Sequence, residues 1–288
     1  MKLIAAVLFA LQATLTVRTV LVALPVTVTD RDGERVTELT QDRFQVYDEG
    51  TLQATTLFHH GTGPITLGLV VDHSTSMQDN LPAVAAALTA FSAITNPDDE
   101  LFVVNFNERV TLPLDAVGAR FTNDPRAIAG VVGAIPARGR TALYDGVLVG
   151  LERVAGGRWD KRSLIVVSDG GDNASVHAYA DVEALARRSD AVIYAIGLRG
   201  ASHERSPRIL KQLAEDSGGV AYFPATPQDV SRVFNEIVRE LREQYTIGFS
   251  PDAPGGGFHR VLVTAVTPEG HPLRVRTRAG YLAPDGPR

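Results

Sequence analysis

No cysteine occurs in the 288 residues. That excludes disulfides, thiolate metal sites and cysteine nucleophiles, and leaves an exported bacterial protein and a cytosolic one equally open. A basic excess is missing too. Lys and Arg number 28 against 33 Asp and Glu, a net charge of −5, so the chain carries no electrostatic footprint for nucleic acid. No apolar run is long enough to cross a bilayer as a helix, no internal repeat or low-complexity tract is evident, and the apolar and charged fractions of 44% and 21% are those of a folded globular protein. Neither Gly-x-Ser-x-Gly nor His-x-x-x-His occurs, which removes the strained serine elbow of a hydrolase and a helical zinc site. His59-His60, without an acidic neighbour, reads as linker. The single tryptophan, Trp159, reads as a packed loop residue rather than a partner anchor.

What is present falls into four stretches. Met1-Lys2 followed by Leu3 to Leu11, with Ala13 as a cleavage point, has the charged start and short apolar core of a signal peptide, so residues 1–13 are expected to direct export to a secreted or periplasmic location; otherwise the protein is cytoplasmic. Residues 14–63 are rich in Val, Thr and Leu. Asp32-Gly33 is a hairpin signal and Asp48-Glu49-Gly50 a second turn, giving an N-terminal β segment. From residue 64 to 245 strands alternate with helices. Strands are expected at Ile65 to Val71, Leu101 to Phe106, Val110 to Leu114, Leu164 to Ser168, Ala191 to Ile196 and Val220 to Phe223. Helices are expected at Ala83 to Ile94, Pro125 to Ile135, Ala142 to Val154, Ala178 to Arg188, Pro207 to Ser217 and Pro227 to Tyr245. The run Arg239-Glu240-Leu241-Arg242-Glu243 reads as a solvated helix face. Residues 246–288 return to β character. Isolated hairpins are marginal, so this segment is expected to pair with 14–63 in a small β-sandwich-like domain. The fold class is therefore α/β, a doubly wound, mostly parallel, Rossmann-like sheet inserted between two β segments.

One constellation carries chemistry. Asp72-His73-Ser74-Thr75-Ser76 follows directly on the first buried strand, and in an extended loop Asp72, Ser74 and Ser76 point one way while His73 and Thr75 point the other. Oxygen donors of this kind suit Mg²⁺, Mn²⁺ or Ca²⁺ rather than zinc or copper. With one charge among three ligands the cluster alone is weak. Thr141, opening a helical pattern, and Asp169, ending the apolar run Arg162 to Val167, supply more, because loops at the carboxyl ends of neighbouring parallel strands share one crevice. Asp145 is expected to accept hydrogen bonds between a helix and a loop, and Asp172 and Asn173 to cap a tight turn at Gly170-Gly171.

On these residues the chain resembles the von Willebrand factor type A domain family, whose metal-ion-dependent adhesion site uses Asp-x-Ser-x-Ser after the first strand, a Thr from a second loop and an Asp from a third. The resemblance maps this set onto Asp72, Ser74, Ser76, Thr141 and Asp169, and spans roughly Pro64 to Tyr245. The flanks, with Val26-Thr27-Val28-Thr29-Asp30, Phe44-Gln45-Val46 and Gly280-Tyr281, are similar to bacterial secreted proteins of the VWFA-related type. The sequence departs from the family at His73 and Thr75, where small residues and Gly are usual around the first Ser. The loop is correspondingly stiffer.

The resemblance implies a non-enzymatic, divalent-metal-dependent protein-binding module for adhesion or scaffolding, in which a bound ion captures an Asp or Glu carboxylate of a partner protein. In family members that switch, the last helix, here Thr226 to Tyr245, shifts with ligand exchange. An alternative is a Mg²⁺-dependent phosphohydrolase with Asp72 as nucleophile, the position used by haloacid-dehalogenase-type enzymes. Those place a second Asp two residues on, where this chain has Ser74. A vestigial site on a purely structural protein is the third reading, and it predicts no response to metal.

Overall fold

A computed structural model of the chain describes residues 21–61, 63–91, 95–199, 207–251 and 256–283. The expected leader at 1–13 lies outside the described residues. Four strands come first, β1 (Val22–Thr29), β2 (Phe44–Asp48), β3 (Thr51–Gln53) and β4 (Thr55–His60). The alternating unit begins with β5 (Thr66–Asp72), α1 (Leu81–Phe91), β6 (Glu100–Phe106), β7 (Val110–Thr111), α2 (Pro125–Ala134) and α3 (Leu143–Ala155). It continues with β8 (Arg162–Ser168), α4 (Tyr179–Arg188), β9 (Val192–Gly197), α5 (Pro207–Asp216), β10 (Ala221–Tyr222) and α6 (Val230–Glu243). Four further strands are β11 (Tyr245–Phe249), β12 (Gly257–Ala265), β13 (Arg274–Arg276) and β14 (Gly280–Ala283).

Because β5 is buried at every position, it reads as an unbroken apolar run rather than an alternating one. That is the signature of a parallel strand covered on both faces. It sits inside a six-stranded sheet of order β10-β9-β8-β5-β6-β7, parallel except for β7, which turns back on β6. Helix α1 packs between α2 and α6, and α3 beside α4. Helix α3 lies close on the sheet because Gly150 has no side chain there. A Cβ would come 2.8 Å from Val70 Cγ2. This is the mostly parallel, helix-flanked α/β fold expected from the sequence.

The remaining strands form two four-stranded antiparallel sheets, β13-β1-β11-β4 and β14-β12-β2-β3. Both combine strands from before and after the α/β unit, alternating in the first sheet and meeting at β2 and β12 in the second: β1 pairs with β11 from Val22↔Phe249 to Val26↔Tyr245, and β2 with β12 from Phe44↔Ala265 to Asp48↔Val261. Their inner faces share one apolar core that includes Leu24, Val26, Val46, Ile247, Phe249 and Val263. Phe44 and Phe58 gather around Tyr245, whose hydroxyl donates to Val36 O and accepts from Leu39 N–H, both at 3.0 Å. Glu49 (φ 46°) and Gly50 (φ 80°) form the two-residue loop between β2 and β3, the left-handed pair that a type I′ hairpin needs.

Several local expectations are corrected. Asp32-Gly33 turns the chain without making a hairpin, since β11 and β13 already occupy the two sides of β1 and the return segment finds only the bridge Thr29↔Arg35. Pro113–Val117 is a 3₁₀ turn, so the strand after β6 stops at Thr111. His59 and His60 belong to β4 instead of a linker, with His60 stacked on Tyr245 at 4.3 Å. Tyr245 begins β11 rather than ending the last helix. The expected end of the first helix at 92–94 lies outside the described residues.

The charged run at the end of α6 is the largest departure. Arg239 is exposed, but Glu240 is buried and accepts from the Tyr194 hydroxyl and from Arg276 Nη2 (2.6 Å). Arg242 grips both oxygens of Asp99, and Glu243 pairs with Arg35. Lys161 Nζ donates to carbonyls of Gly61 and Gln244 (both 2.9 Å), Arg242 (3.4 Å) and Leu241 (3.5 Å). The physical reason is the second layer. The antiparallel sheets cover this end of the helix, which periodicity along a single segment does not register.

Candidate functional site

The carboxyl edge of the parallel sheet brings three loops together, and the backbone shows how. Arg138 N–H donates to His73 O (2.8 Å), and Thr75 donates from both its N–H and its hydroxyl to Gly139 O (3.2 Å each). The loop before α3 is thus laced to the loop after β5. Thr141 is tied to the loop after β8 from both sides: its N–H donates to Asn173 Oδ1 (2.9 Å), and its carbonyl accepts from Asn173 and Ala174 N–H (2.9 and 3.0 Å). Ala142 N–H reaches Asn107 O (2.7 Å) in the turn after β6.

Asp72 ends β5 fully buried. One carboxylate oxygen, Oδ1, accepts the Ser74 N–H (2.8 Å) and the other, Oδ2, accepts the Ser168 hydroxyl (2.7 Å). Ser74 Oγ and Ser76 Oγ stand 3.1 Å apart. The expected extended loop is a 3₁₀ turn over Thr75–Met77, closed by Met77 N–H on Ser74 O and anchored by the buried Met77 side chain. It nevertheless sets the two serine hydroxyls side by side. Asp169 and Thr141 are buried. Asp169 Oδ1 accepts Gly171 N–H (3.1 Å) across a turn made by the left-handed Gly170.

Among the described residues no Lys, Arg or His pairs with Asp72 or Asp169. Burial pushes the Asp72 carboxyl up to about 6, and the Asp169 charge pushes the same way. The Ser74 and Ser168 hydrogen bonds oppose both. His73 faces away, with ring nitrogens 3.2 Å from Val71 O and Val132 O, and burial lowers its pKa.

Sequence reasoning missed Ser168 and the strap made by Asn173. The first has a readable signal, since β5 and β8 pair in register up to Val71↔Val167, placing the next residue of each strand side by side. The second has none, because Asn173 acts across to another loop. Asp145 is the helix-to-loop acceptor expected, taking Val176 N–H (2.9 Å) on Oδ2 and His177 N–H (3.1 Å) on Oδ1. Asp172 does more than cap a turn: its Oδ1 accepts the Ser175 hydroxyl (2.6 Å) and faces Tyr144 N–H at the start of α3 (3.4 Å). Trp159 is half-buried, its indole N–H donating to Asp98 O (2.8 Å).

A helix-flanked parallel sheet with hydroxyls and acids collected at its carboxyl edge defines a class of α/β domain in which the site is built on three loops. Residues 67–171 match the family described as von Willebrand factor type A domain, and the α/β unit has the fold of such a domain. An uncharacterized protein of Synechocystis sp. is 32% identical over 111 residues, which is 38% of this chain and 26% of that protein, so the match takes in about a quarter of the relative's length. A von Willebrand factor type A structure from Catenulispora acidiphila superposes with a TM-score of 0.53 at 13% identity, covering 83% of this chain and 72% of that one. Proximal thread matrix protein 1 from the mussel byssus, solved with a zinc-occupied MIDAS motif, gives 0.53 at 19% identity over 66% of this chain and 48% of its own. At these identities the structural likenesses show the fold.

Proposed function

We propose that the chain is a non-enzymatic protein-binding module of an exported adhesion or scaffolding protein. Asp72, Ser74, Ser76, Thr141 and Asp169 hold a divalent cation, Mg²⁺ or Mn²⁺ before Ca²⁺, and the partner is a protein offering an Asp or Glu carboxylate. The supporting observation is the buried carboxylate of Asp72 beside Asp169, hydrogen-bonded but without a cation among the described residues. Buried charge without a counter-charge is costly, and a hard divalent ion among hydroxyl and carboxylate oxygens removes that cost. The donor set, two acids and three hydroxyls, fits such an ion.

In this reading Ser74 and Ser76 present adjacent neutral oxygens, and Ser168 and the Ser74 N–H hold the Asp72 carboxylate in one orientation. When bound, the cation supplies a positive centre that its neutral ligands leave largely unquenched, and with it an attraction for an outside carboxylate. The zinc at the corresponding motif of the mussel protein supports a divalent ion here without fixing which one. We further propose that residues 14–63 and 246–288 form one domain into which 64–245 is inserted, after a cleaved leader at 1–13.

Thermal denaturation with and without Mg²⁺, Mn²⁺, Ca²⁺ and Zn²⁺ tests the reading, comparing wild type with Asp72→Ala. Ion binding to the native state adds about 2.7 kcal/mol at a hundredfold excess over the dissociation constant. The expected result is a rise in wild type that is absent in the variant. An unchanged wild type, or an equal response from both, overturns it.

A further inference from the structure

The edge that carries the candidate metal site also carries four exposed arginines, each tied through backbone to one of its loops. Arg138 and Arg140 flank Gly139, whose carbonyl holds Thr75, and Arg140 Nη1 reaches Asn173 O (3.3 Å) on the third loop. Arg109 closes the turn whose Asn107 carbonyl accepts Ala142 N–H. Arg199 follows β9, and its carbonyl accepts Asn80 Nδ2 (2.8 Å) at the start of α1. Among the described residues none of the four has an ion-pair partner, whereas Arg153, Arg162 and Arg242 elsewhere are each matched with a carboxylate.

The exposed acids on this edge are Asp79 and Glu108, and Glu108 already accepts Arg140 N–H (2.9 Å); Asp145 and Asp172 are half-buried and engaged by Val176 N–H and the Ser175 hydroxyl, and Asp72 and Asp169 are assigned to the cation. Four exposed guanidinium groups without ion-pair partners among the described residues therefore form a rim around the site on a chain of net charge −5. A guanidinium fork matches a carboxylate in shape as well as charge. The geometry points to a partner that is an acidic protein segment with at least two carboxylates, one directed to the bound cation and another met by Arg138 and Arg140. This rests on the metal-dependent capture proposed above and names the chemistry of what is captured. Oppositely charged rims of this kind also speed encounter and make it sensitive to salt.

The experiment titrates the full chain, in Mg²⁺, with two synthetic decapeptides of equal length, one carrying a single central Glu and the other three successive Glu residues. The triacidic peptide is expected to bind about fivefold to tenfold more tightly at low salt, the gap narrowing at high salt, as two or three exposed ion pairs allow. The Arg138→Gln/Arg140→Gln double variant is expected to close the gap while keeping Mg²⁺ affinity, measured by calorimetry, within about twofold, since neither side chain is assigned to the ion. Equal affinity for the two peptides with Mg²⁺ dependence retained overturns the rim and leaves the metal reading standing. So does a gap that survives the double variant. Binding of neither peptide, or binding indifferent to Mg²⁺, overturns the metal reading and the rim with it.

Discussion

Arg242→Met should be among the most destabilising single changes outside the apolar core. Its guanidinium spans the Asp99 carboxylate with Nη1 on Oδ1 (3.0 Å) and Nη2 on Oδ2, and Nη1 also donates to Gly63 O (3.1 Å). The Asp99 side chain has no exposure and that of Arg242 only 12%, so solvent does little to screen the pair. Removing one member of a buried pair strands the other, at a cost of about 3–5 kcal/mol. Asp99 keeps the N–H groups of Ile65 (3.0 Å) and Asn96 (2.9 Å), which places the expected loss toward the lower end. For a chain of this size that is a fall in melting temperature of roughly 6–15 °C. Arg242→Lys, retaining charge but not the fork, should lose about half as much. A double-mutant cycle with Asp99→Asn, followed by circular dichroism melts in metal-free buffer, isolates the pair. A loss under about 1 kcal/mol for Arg242→Met, or a coupling energy near zero, would refute the claim that this contact holds the end of α6.

The folded Asp72 carboxyl, raised to about 6 from its ordinary value of 3.8, binds more protons than the unfolded chain between those values, so stability of the metal-free protein should fall as pH rises from about 4 to 6. Asp72→Asn should then melt higher than wild type at pH 7 without metal and show no metal response. Since the cation needs the carboxylate, apparent metal affinity in wild type should drop about tenfold per pH unit below about 6 and level off above it, as read by calorimetry. Burial and the Arg242 charge lower the Lys161 ammonium to about 8, so the unfolded state binds more protons between there and 10.5 and stability from this group should rise with pH across that window. Lys161→Met should remove that rise in denaturation midpoints taken at pH 8 and pH 10. Gly280→Ala places a Cβ 2.1 Å from His259 O, backbone that cannot step aside, and should cost on the order of 2 kcal/mol or more in urea titrations.

The elements legible from the amino acids are those whose cause lies within one segment. β5 announces itself through the largely apolar run Ile65 to Val71, α2 through Asp124 ahead of Pro125 as its cap, and the loop after β5 through its alternating acid and hydroxyls. Those causes are local. Ser168 is silent in its own stretch of sequence because one hydroxyl at the end of an apolar run matters only through its register beside Asp72. Glu240 and Arg242 look solvated within their own segment because their partners, Arg276, Tyr194 and Asp99, lie on other elements. The loop after β5 reads as extended from its alternation, whereas Met77, filling the core beneath it, winds it into a turn. β3, at three residues, is too short for alternation to show, and β4 is only partly buried, so its apolar positions do not stand out.

The interleaving of β1 with β11 and of β2 with β12 also sets the order in which the protein can mature. A nascent polypeptide leaves the ribosome amino end first, and β1 then waits for a neighbour encoded more than two hundred codons downstream, a span like that of the Thr27–Glu240 contact. The intervening unit, with its nearer pairings, has time to assemble during that delay. Until β11 and β12 have been synthesised, the apolar side of the early strands lacks its native cover.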